Sequence, residues 1–334
     1  MNTASTKLAQ SDANAPRVTI VVSPRERFEQ AILSLVAILA TDDAPFRLIY
    51  VDGASPEPIA AELEAAVVKA GHTYIRSTLY LAPNQARNMA LPLIDTEYVV
   101  FVDNDVIFAK GWLGALIACA DETGAGLVTP TILVGPEQKM PDLPIHHAGG
   151  VLELEPTTKG RRMKRSHGYE HQRYVDRRDE LTRGETGCTE FHVVLVRKAV
   201  LDDIGPFDDK LIGFTDELDM ALKARARGWK IYFEPTSVVC YAVGKRVTWR
   251  ETPYFCLRWS TRLAMGAERY FYRKWDLVPE FQRQYEFLRD HRRHAFPFKG
   301  LQKIIGWRAT VWLTSALCET IAFFHSSRIR VPRS

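Results

Sequence analysis

The chain has 334 residues, enough for one large domain or two of ordinary size. Its formal net charge of +4 is too small to indicate nucleic-acid binding, so no nucleic-acid partner is expected. The five cysteines are scattered with no Cys-x-x-Cys pair, which argues against a disulfide framework or a cysteine-based zinc site and favours a cytoplasmic protein. The small, polar residues 1–16 predict a disordered tail, and the lack of a long uncharged apolar run argues against a membrane-spanning helix.

Short apolar runs alternate with segments of helical periodicity over the first third of the chain. Such alternation predicts a mainly parallel sheet with right-handed crossover helices. Ser23, Asp52 and Asp103 should then lie along the edge where the carboxyl ends of the strands meet. The predicted strands are Val18 to Val22, Phe46 to Val51, Thr73 to Ile75 and Tyr98 to Asp103, and the predicted helices are Glu26 to Ala40, Pro56 to Ala70, Asn84 to Leu93 and Gly111 to Asp121.

The fourth of these strands ends abruptly in two carboxylates, Asp103 and Asp105. An apolar strand buried on both faces cannot carry charge inside the core, so both should follow its carboxyl end, where open α/β sheets bind ligands. Two carboxylates in this position suit a hard divalent cation that in turn holds phosphate oxygens. The alternative is that the pair forms only a turn and a helix cap.

Residues 130–185 differ from the rest, because they are rich in Pro, Gly, His and Arg and lack clear periodicity. This composition predicts a long loop, either solvated or acting as a mobile flap or acceptor-binding segment, with a basic run over 159–165. Further on, Thr215 is a reasonable N-cap for a helix whose first turn holds Asp216 and Glu217. Acids in a first turn also suit the helix dipole, which is the structural alternative to a catalytic role.

After residue 243 the composition shifts toward Arg, Trp and Tyr, and we predict a helical C-terminal extension over 244–334. Two helices are expected over 246–294. The stretch 296–334 fits either peripheral contact with anionic lipid at the inner face of a membrane or packing on the catalytic domain or a partner subunit. Its expected apolar face is Trp307, Val311, Trp312, Leu317 and Phe324, and its basic flanks are Lys299, Lys303, Arg328, Arg330 and Arg333.

Six segments, taken in order, resemble motifs of the family 2 glycosyltransferases, which have the nucleotide-diphospho-sugar transferase (GT-A type) fold. One such match is weak, but six in the family's order are specific. The resemblance implies an α/β catalytic domain over 17–243, with a mixed, mainly parallel sheet and flanking helices. The segments are residues 18–22, Asp52-Gly53-Ala54-Ser55, Ala86-Arg87-Asn88-Met89-Ala90, Asp103-Asn104-Asp105, Val196 to Asp208, and Asp216-Glu217-Leu218-Asp219 with the residues up to Trp229.

The resemblance also implies an activity. A sugar would move from a nucleoside-diphosphate sugar to a hydroxyl of a glycan or glycolipid acceptor, with inversion at the anomeric carbon. A Mg²⁺ or Mn²⁺ ion would be held by Asp105 with help from Asp103, and it would stabilise the charge of the leaving diphosphate. The residues expected to contact the nucleotide are Ser23, Asp52, Arg87, Asn88 and Asp103.

Two departures from the family's pattern affect this site. The general base should be the second acid of a Glu-Asp pair; the matching residue here is Glu217, and Asp216 is the second candidate. A metal-ligating His that many relatives carry after the following strand is absent, since the matching stretch is Val-Val-Cys-Tyr over 238–241. The remaining candidates for that ligand are water, phosphate, His192, His146 and His147.

Two other functions are open to such a chain. A sugar-nucleotide nucleotidyltransferase would need a Gly-rich basic loop after the first strand, and residues 23–27 contain no glycine. A non-catalytic sugar-nucleotide- or glycan-binding module would bind nucleotide without turnover.

Overall fold

The computed structural model describes residues 15–242, 247–296 and 299–330. The predicted tail over 1–16 therefore lies outside the described residues except for Ala15 and Pro16. Arg333 and the side chain of Lys299, both predicted basic flanks of the last helix, also lie outside them, as does the predicted domain boundary at residue 243.

The described residues form twelve strands, numbered here in chain order. They are β1 (Val18–Ser23), β2 (Phe46–Gly53), β3 (Thr73–Ser77), β4 (Tyr98–Asp103), β5 (Val106–Phe108), β6 (Leu127–Val134), β7 (Ile145–His147), β8 (Gly150–Thr157), β9 (Gly160–His167), β10 (Gly184–Glu185), β11 (Val193–Arg197) and β12 (Ile231–Tyr241).

Helices cover both faces of the sheet and most of the C-terminal part that the structure describes. They are α1 (Phe28–Leu39), α2 (Glu57–Lys69), α3 (Pro83–Ala90), α4 (Trp112–Thr123), α5 (Tyr174–Arg177), α6 (Lys198–Ile204), α7 (Asp216–Ala226), α8 (Thr252–Arg258), α9 (Thr261–Lys274), α10 (Phe281–Ala295) and α11 (Lys299–Phe324).

Ten of the strands form one mixed sheet in the order β10-β12-β6-β11-β4-β1-β2-β3, with β5 beside β12 and β7 beside β6. The strands β3, β2, β1 and β4 are parallel, and β6 is parallel to β12. β11 lies antiparallel between β4 and β6, so its beginning reaches the edge where β4 ends. The sheet is therefore mixed and mainly parallel with flanking helices, as predicted.

The central strand β4 is buried on both faces, because successive side chains point to opposite sides of the sheet. Val100 and Val102 face the apolar core that includes Leu35 of α1, whereas Val99 and Phe101 face the core on the other side. A strand that is buried on both faces can carry charged side chains only at its end or beyond it. This explains why the apolar run of β4 stops at its first aspartate.

The segment over 130–185, predicted as a long loop, is mostly folded. β6 continues to Val134, β7 pairs with it, and β8 and β9 form an antiparallel hairpin that carries the basic run. The hairpin is tied to the chain after α9 by backbone hydrogen bonds from Arg161 N to Asp276 O (2.9 Å) and from Val278 N to Arg161 O (2.8 Å). Periodicity failed to reveal it because neither face of the hairpin is continuously buried, so its sequence lacks the apolar alternation of a core strand.

The C-terminal part also differs in detail from expectation. The two strands predicted at 231–233 and 237–241 are one strand, β12, with a register shift between Glu234 and Val238. The region predicted as two helices holds three, α8 to α10, in its described residues. Proline and a bulge interrupt the sequence pattern of β12 without ending the strand.

The last helix packs on the rest of the molecule. In α11, Val311 and Cys318 are buried, so Val311 packs against the molecule, whereas Trp312 of the same predicted apolar face is exposed. Arg292 of α10 is buried and pairs with Glu319 at 2.6 Å. Beyond α11, the N–H of Tyr80 donates to the carbonyl of Arg328 (2.8 Å), which attaches the chain's end to the main domain. No helix among the described residues is long and apolar enough to cross a membrane.

Candidate active site

Three strand ends bring the first predicted site residues to one edge of the sheet. Ser23 at the end of β1 is in register with Asp103 at the end of β4. Asp52 near the end of β2 lies on the other side of β1, about 10 Å from β4 by the spacing of sheet strands. Asp52 accepts hydrogen bonds from the N–H of Ser55 and the hydroxyl of Tyr74, both at 3.0 Å.

Asp103 is fully buried and surrounded by positive charge. The Nε of Arg25 lies 2.8 Å from its Oδ2, His192 Nδ1 lies 3.0 Å from the same oxygen, and Arg87 NH2 lies 3.9 Å from its Oδ1. Burial acts to raise the pKa of Asp103, but Arg25, His192 and Arg87 outweigh it and hold the pKa well below its usual range. Asp103 is therefore a carboxylate at neutral pH.

Asp105, two residues further on, is equally buried but lacks this compensation. Its Oδ1 has no hydrogen-bond partner among the described residues. Burial, followed by the charge of Asp103, raises the pKa of Asp105 to about 7. A buried oxygen without a partner costs free energy, so this position favours a bound cation or a proton.

Arg87 joins α3 to the start of α7. Its NH1 donates to Asp216 Oδ2 at 2.6 Å and to Asn84 Oδ1 at 2.8 Å, and its guanidinium carbon lies 3.7 Å from the centre of the Phe191 ring. Arg87 is completely buried, and burial lowers its pKa despite the nearby carboxylates. Arg87 therefore connects Asp103 and Asp216 in one buried ionic network.

Asn88, predicted to contact the nucleotide, is occupied elsewhere. Its Nδ2 donates to the Phe207 carbonyl at 2.9 Å and to Asp209 Oδ1 at 2.7 Å, and its Oδ1 accepts the Phe207 N–H at 2.9 Å. These bonds fix the turn between α6 and α7. The motif Ala-Arg-Asn thus supplies structural contacts here, and the predicted contact of Asn88 with the nucleotide is tested below by the Asn88→Ala variant.

Glu217, next to Asp216 on α7, has no such strong partner. Its Oε1 lies 3.5 Å from Arg165 NH2, which also lies 3.8 Å from Glu190 Oε2. Burial, followed by the charge of Glu190, raises the pKa of Glu217 to about 8, although Arg165 offsets part of this effect. Of the two candidate bases, Asp216 is held in an ion pair with Arg87, and Glu217 has the raised pKa.

The start of α7 is shaped by backbone conformation. Thr215 has φ 60, and its hydroxyl donates to the carbonyl of Phe214. It occupies the predicted N-cap position, but its side chain makes no capping hydrogen bond. Asp219, the third acid of the motif, accepts from Trp275 Nε1 at 2.9 Å and pairs with Lys274 at 2.8 Å. Asp219 therefore attaches α7 to the end of α9.

His192 brings together the two acidic parts of the site. It precedes β11, opposite the end of β4, and its ring stacks on Tyr241 at 4.1 Å between centroids. His192 belongs to two groups of possible metal ligands, and within each group the ligand atoms lie within 4.8 Å of one another. One group is Asp103, Asp105 and His192, and the other is His146, Glu190 and His192. Desolvation acts to lower the pKa of His192, but Asp103 and Glu190 raise it overall.

Sequence reasoning missed Arg25, Arg165 and Glu190. Arg25 lies two residues after the end of β1, so its position just past a predicted strand could have identified it as a site residue. Glu190 precedes a strand that runs antiparallel, and Arg165 lies on the unpredicted hairpin, so strand-end reasoning applied to a parallel sheet could not reach them.

Comparisons with known proteins identify the family of this chain. The family model described as "Glycosyl transferase family 2" matches residues 19–205, more than half of the chain. No curated protein matches the chain. The crystal structure of GalNAc-T7 with UDP, GalNAc and Mn²⁺ is similar with a TM-score of 0.51 and 14% identity, over 97% of this chain and 60% of that one. The mannosyltransferase PcManGT from Pyrobaculum calidifontis in complex with GDP-Man and Mn²⁺ has a TM-score of 0.49 and 16% identity, over 94% of this chain and 88% of that one.

This chain thus spans 60% of the length of the GalNAc-T7 chain that it matches. The residues matched by the family include Asp52, Asp103 and Asp105, whereas Asp216 and Glu217 lie beyond them. The sequence motifs, the sheet and the family match agree on one assignment. The chain belongs to glycosyl transferase family 2 and has the nucleotide-diphospho-sugar transferase (GT-A type) fold.

Proposed function

We propose that this chain is a metal-dependent, inverting glycosyltransferase that takes a nucleoside-diphosphate sugar as donor and a hydroxyl of a glycan or glycolipid as acceptor. The observation that carries the proposal is Asp105, a buried carboxylate with an unpartnered Oδ1 at the sheet edge of a family 2 chain. The UDP and Mn²⁺ in the similar GalNAc-T7 structure support the donor class and the metal.

The residues at this edge fit Mg²⁺ or Mn²⁺. Both ions prefer oxygen ligands, and Oδ1 of Asp103 and Oδ1 of Asp105 are buried without hydrogen bonds among the described residues. Asp105 would hold the ion and Asp103 would assist, with His192 orienting Asp103 through its Nδ1, which lies 3.0 Å from Asp103 Oδ2. When bound, the ion supplies charge stabilisation to the departing diphosphate.

The nucleotide would lie along the edge formed by β2, β1 and β4. Asp52 would contact the base or ribose, Ser23 lies on the strand between, and Asp103 would contact the ribose or assist the metal. Arg87 acts through the two carboxylates that it pairs with, Asp103 and Asp216.

Glu217 is the proposed general base. It would accept the proton of the acceptor hydroxyl as that oxygen attacks the anomeric carbon, and a pKa of about 8 suits proton acceptance near neutral pH. A single displacement, with attack opposite the leaving group, inverts the anomeric configuration. The ion pair between Asp216 and Arg87 supports Glu217 over Asp216 in this role.

The exposed side of α11 supports contact with an anionic lipid surface, where a lipid-linked acceptor would be found. Trp312, Phe323 and Phe324 are 70%, 74% and 75% exposed, and Ile304 before the bend at Gly306 is 82% exposed. Exposed Lys303 and Arg308 lie near the same end. Large apolar side chains with flanking cations suit the anionic cytoplasmic leaflet, so we include peripheral membrane association at that face in the proposal.

The donor is tested by a thermal-shift series with UDP, GDP and ADP, each with and without Mn²⁺. We expect at least one diphosphate to raise Tm only when Mn²⁺ is present, and Asp105→Asn to abolish that rise. Stabilisation that is equal without metal, or none with any nucleotide, would contradict the proposal.

Turnover separates the alternatives. Incubation with the matching sugar nucleotide and a hydroxyl acceptor should release nucleoside diphosphate and form the inverted glycoside, which NMR of the product identifies. Release of pyrophosphate from a nucleoside triphosphate and a sugar phosphate would instead indicate a nucleotidyltransferase. Binding without any turnover across acceptors would indicate a binding module.

Membrane association is tested by sedimentation with vesicles. The chain should bind vesicles that contain about 30% anionic lipid, because the negative surface attracts basic segments. It should bind neutral vesicles far less. The double variant Trp312→Ser, Phe323→Ser should lose this binding, whereas Leu33→Ser, a matched change of an exposed apolar residue on α1, should not. Equal binding by both variants would contradict lipid contact through α11.

A further inference from the structure

A second group of metal-ligand side chains lies on the far side of His192 from the Asp103–Asp105 pair. It consists of His146 on β7, Glu190 ahead of β11, and His192 itself, with one ligand atom of each within 4.8 Å of the others. The proposed transfer reaction gives no role to His146 or Glu190.

Two of these groups lack hydrogen-bond partners. The Glu190 side chain is 14% exposed, yet its nearest cationic atoms, Arg165 NH2 and His192 Nε2, are both 3.8 Å away, beyond hydrogen-bond distance. Within 15–242, 247–296 and 299–330, the imidazole of His146 has ring contacts with His167, His192 and Tyr241 but makes no hydrogen bond. All three side chains of the cluster are partly exposed, so an ion can reach the ligand atoms of His146 and Glu190, which no hydrogen bond among these residues occupies.

The two nitrogens of His192 face different neighbours. Nδ1 lies 3.0 Å from Asp103 Oδ2, and Nε2 lies 3.8 Å from Glu190 Oε1. A histidine that binds a metal commonly donates its other N–H to a carboxylate, which fixes the tautomer and the ring orientation. With the proton on Nδ1 donated to Asp103, the Nε2 lone pair points toward Glu190 and His146, and stacking on Tyr241 holds the ring.

Two imidazoles and one carboxylate form a different ligand set from that of Asp103 and Asp105. Imidazole nitrogen suits Zn²⁺, which takes two His and one Glu in open sites, whereas all-oxygen sets suit Mg²⁺ and Mn²⁺. We propose that His146, Glu190 and His192 bind one Zn²⁺ ion at a site separate from the one at Asp105. This ion would link β7, in the 130–185 segment, to the start of β11. The inference does not depend on the proposed transferase activity.

The test uses the full chain with Asp105→Asn, freed of metal by chelation, so that the carboxylate site does not contribute. Equilibrium dialysis against Zn²⁺ with elemental analysis should give one bound Zn²⁺ per chain. Adding His146→Ala should weaken binding by about 100-fold or more, as removal of a direct ligand costs at least as much as loss of a supporting contact. The matched control His171→Ala removes a histidine whose side chain is 81% exposed, and it should leave Zn²⁺ binding unchanged.

A second variant keeps the test decisive if His146→Ala fails to fold. Glu190→Gln preserves shape and removes the anionic ligand, so it should also lose Zn²⁺. In the chain with Asp105 intact, His146→Ala should retain the Mn²⁺-dependent Tm shift with nucleoside diphosphate. The proposal is overturned if His146→Ala and Glu190→Gln bind Zn²⁺ as tightly as the control, or if the Asp105→Asn chain binds no Zn²⁺.

Discussion

Asp103 and Asp105 follow the same strand and are equally buried, yet their surroundings are opposite. Asp103 lies among Arg25, Arg87 and His192, and its pKa is held below its usual range. Asp105 faces that negative charge without a cation of its own, and its pKa is raised to about 7. One carboxylate is already compensated by the fold, and the other is left to a ligand.

The same contrast recurs across the site at the start of α7. Asp216 is paired with Arg87 at 2.6 Å, whereas the Glu217 side chain is 12% exposed, has a raised pKa and lies 3.5 Å from Arg165. The compensated acids hold the site together, and the uncompensated ones are available for a cation or a proton. Burial alone therefore does not distinguish the carboxylates that we propose as reactive; the charge around each one does.

The largest expected effect concerns Glu217. Glu217→Gln should lower kcat by about 10²- to 10⁴-fold, the usual contribution of a general base, because the amide cannot accept the acceptor's proton. The Kd of nucleoside diphosphate with Mn²⁺, measured by calorimetry, should stay within about twofold, since Glu217 does not contact the nucleotide in the proposed arrangement.

Asp216→Asn is the matched control for that variant. It should lower stability, because it leaves the fully buried Arg87 without its closest partner. If the folded Asp216→Asn chain loses turnover and Glu217→Gln retains it, the base is Asp216 instead.

The two aspartates of β4 should differ in their effect on metal-free stability. Asp103→Asn should destabilise the fold by about 3 kcal/mol, because it removes the ion-pair partner of buried Arg25 and leaves Arg87 with Asp216 alone. Asp105→Asn should stabilise it by about 1 to 3 kcal/mol at pH 7, because it removes a buried charge. Urea unfolding with a chelator present measures both.

The pH dependence of the Asp105→Asn effect follows from its sign. The pKa of Asp105 is raised in the folded state from 3.8 to about 7, so its ionisation costs stability as pH rises through that range. The gain from the substitution should therefore disappear below about pH 4, where both states are protonated. If Asp103→Asn and Asp105→Asn lose the same amount of stability, the proposed difference between the surroundings of the two aspartates is wrong.

A smaller effect is expected at Arg165. Turnover should fall as pH drops below about 8, because Glu217 must be deprotonated to act as the base. Arg165 lowers the pKa of Glu217, so Arg165→Met should shift this acid limb upward by about one pH unit or less. Lys164→Met, on the same hairpin but paired with Glu153, is the control and should leave the pH profile of kcat unchanged.

The smallest effect on the site itself is expected at Asn88. Asn88→Ala removes three hydrogen bonds to the turn at 207–209 and should cost about 1 to 3 kcal/mol of stability. The Kd of nucleoside diphosphate should change less than about twofold, because the side chain points to that turn. A tenfold loss of nucleotide affinity without loss of stability would instead support the predicted contact between Asn88 and the nucleotide.

Most strands and helices of the sheet could be predicted from the sequence. The core strands are apolar, and they alternate with amphipathic helices through short connections. β4 and its two aspartates were predicted directly. The hairpin of β8 and β9 was missed, since its partly exposed faces leave no apolar period. The exposed face of α11 was only partly predicted: Val311 is buried, whereas Trp312 is 70% exposed.

The site was predicted where it follows parallel strands and missed where it does not. Asp103 and Asp105 were expected together, and the structure places them together. The contrast between them could not be predicted, because it depends on Arg25 and Arg87, which reach Asp103 from separate elements. His192 was only one of several candidates, since a single sequence does not reveal that β11 runs antiparallel.

The direction of β11 divides the site between two parts of the chain. Glu190 and His192 reach the edge just after the 130–185 segment, whereas Asp52 and Asp103 are held by the parallel strands before it. We propose that the 130–185 segment lies on the acceptor side of the site, so that sequence changes there alter the acceptor while the donor side keeps its strands. A chimera that exchanges residues 135–190 between family members should therefore change the acceptor and keep the nucleotide preference of the parent.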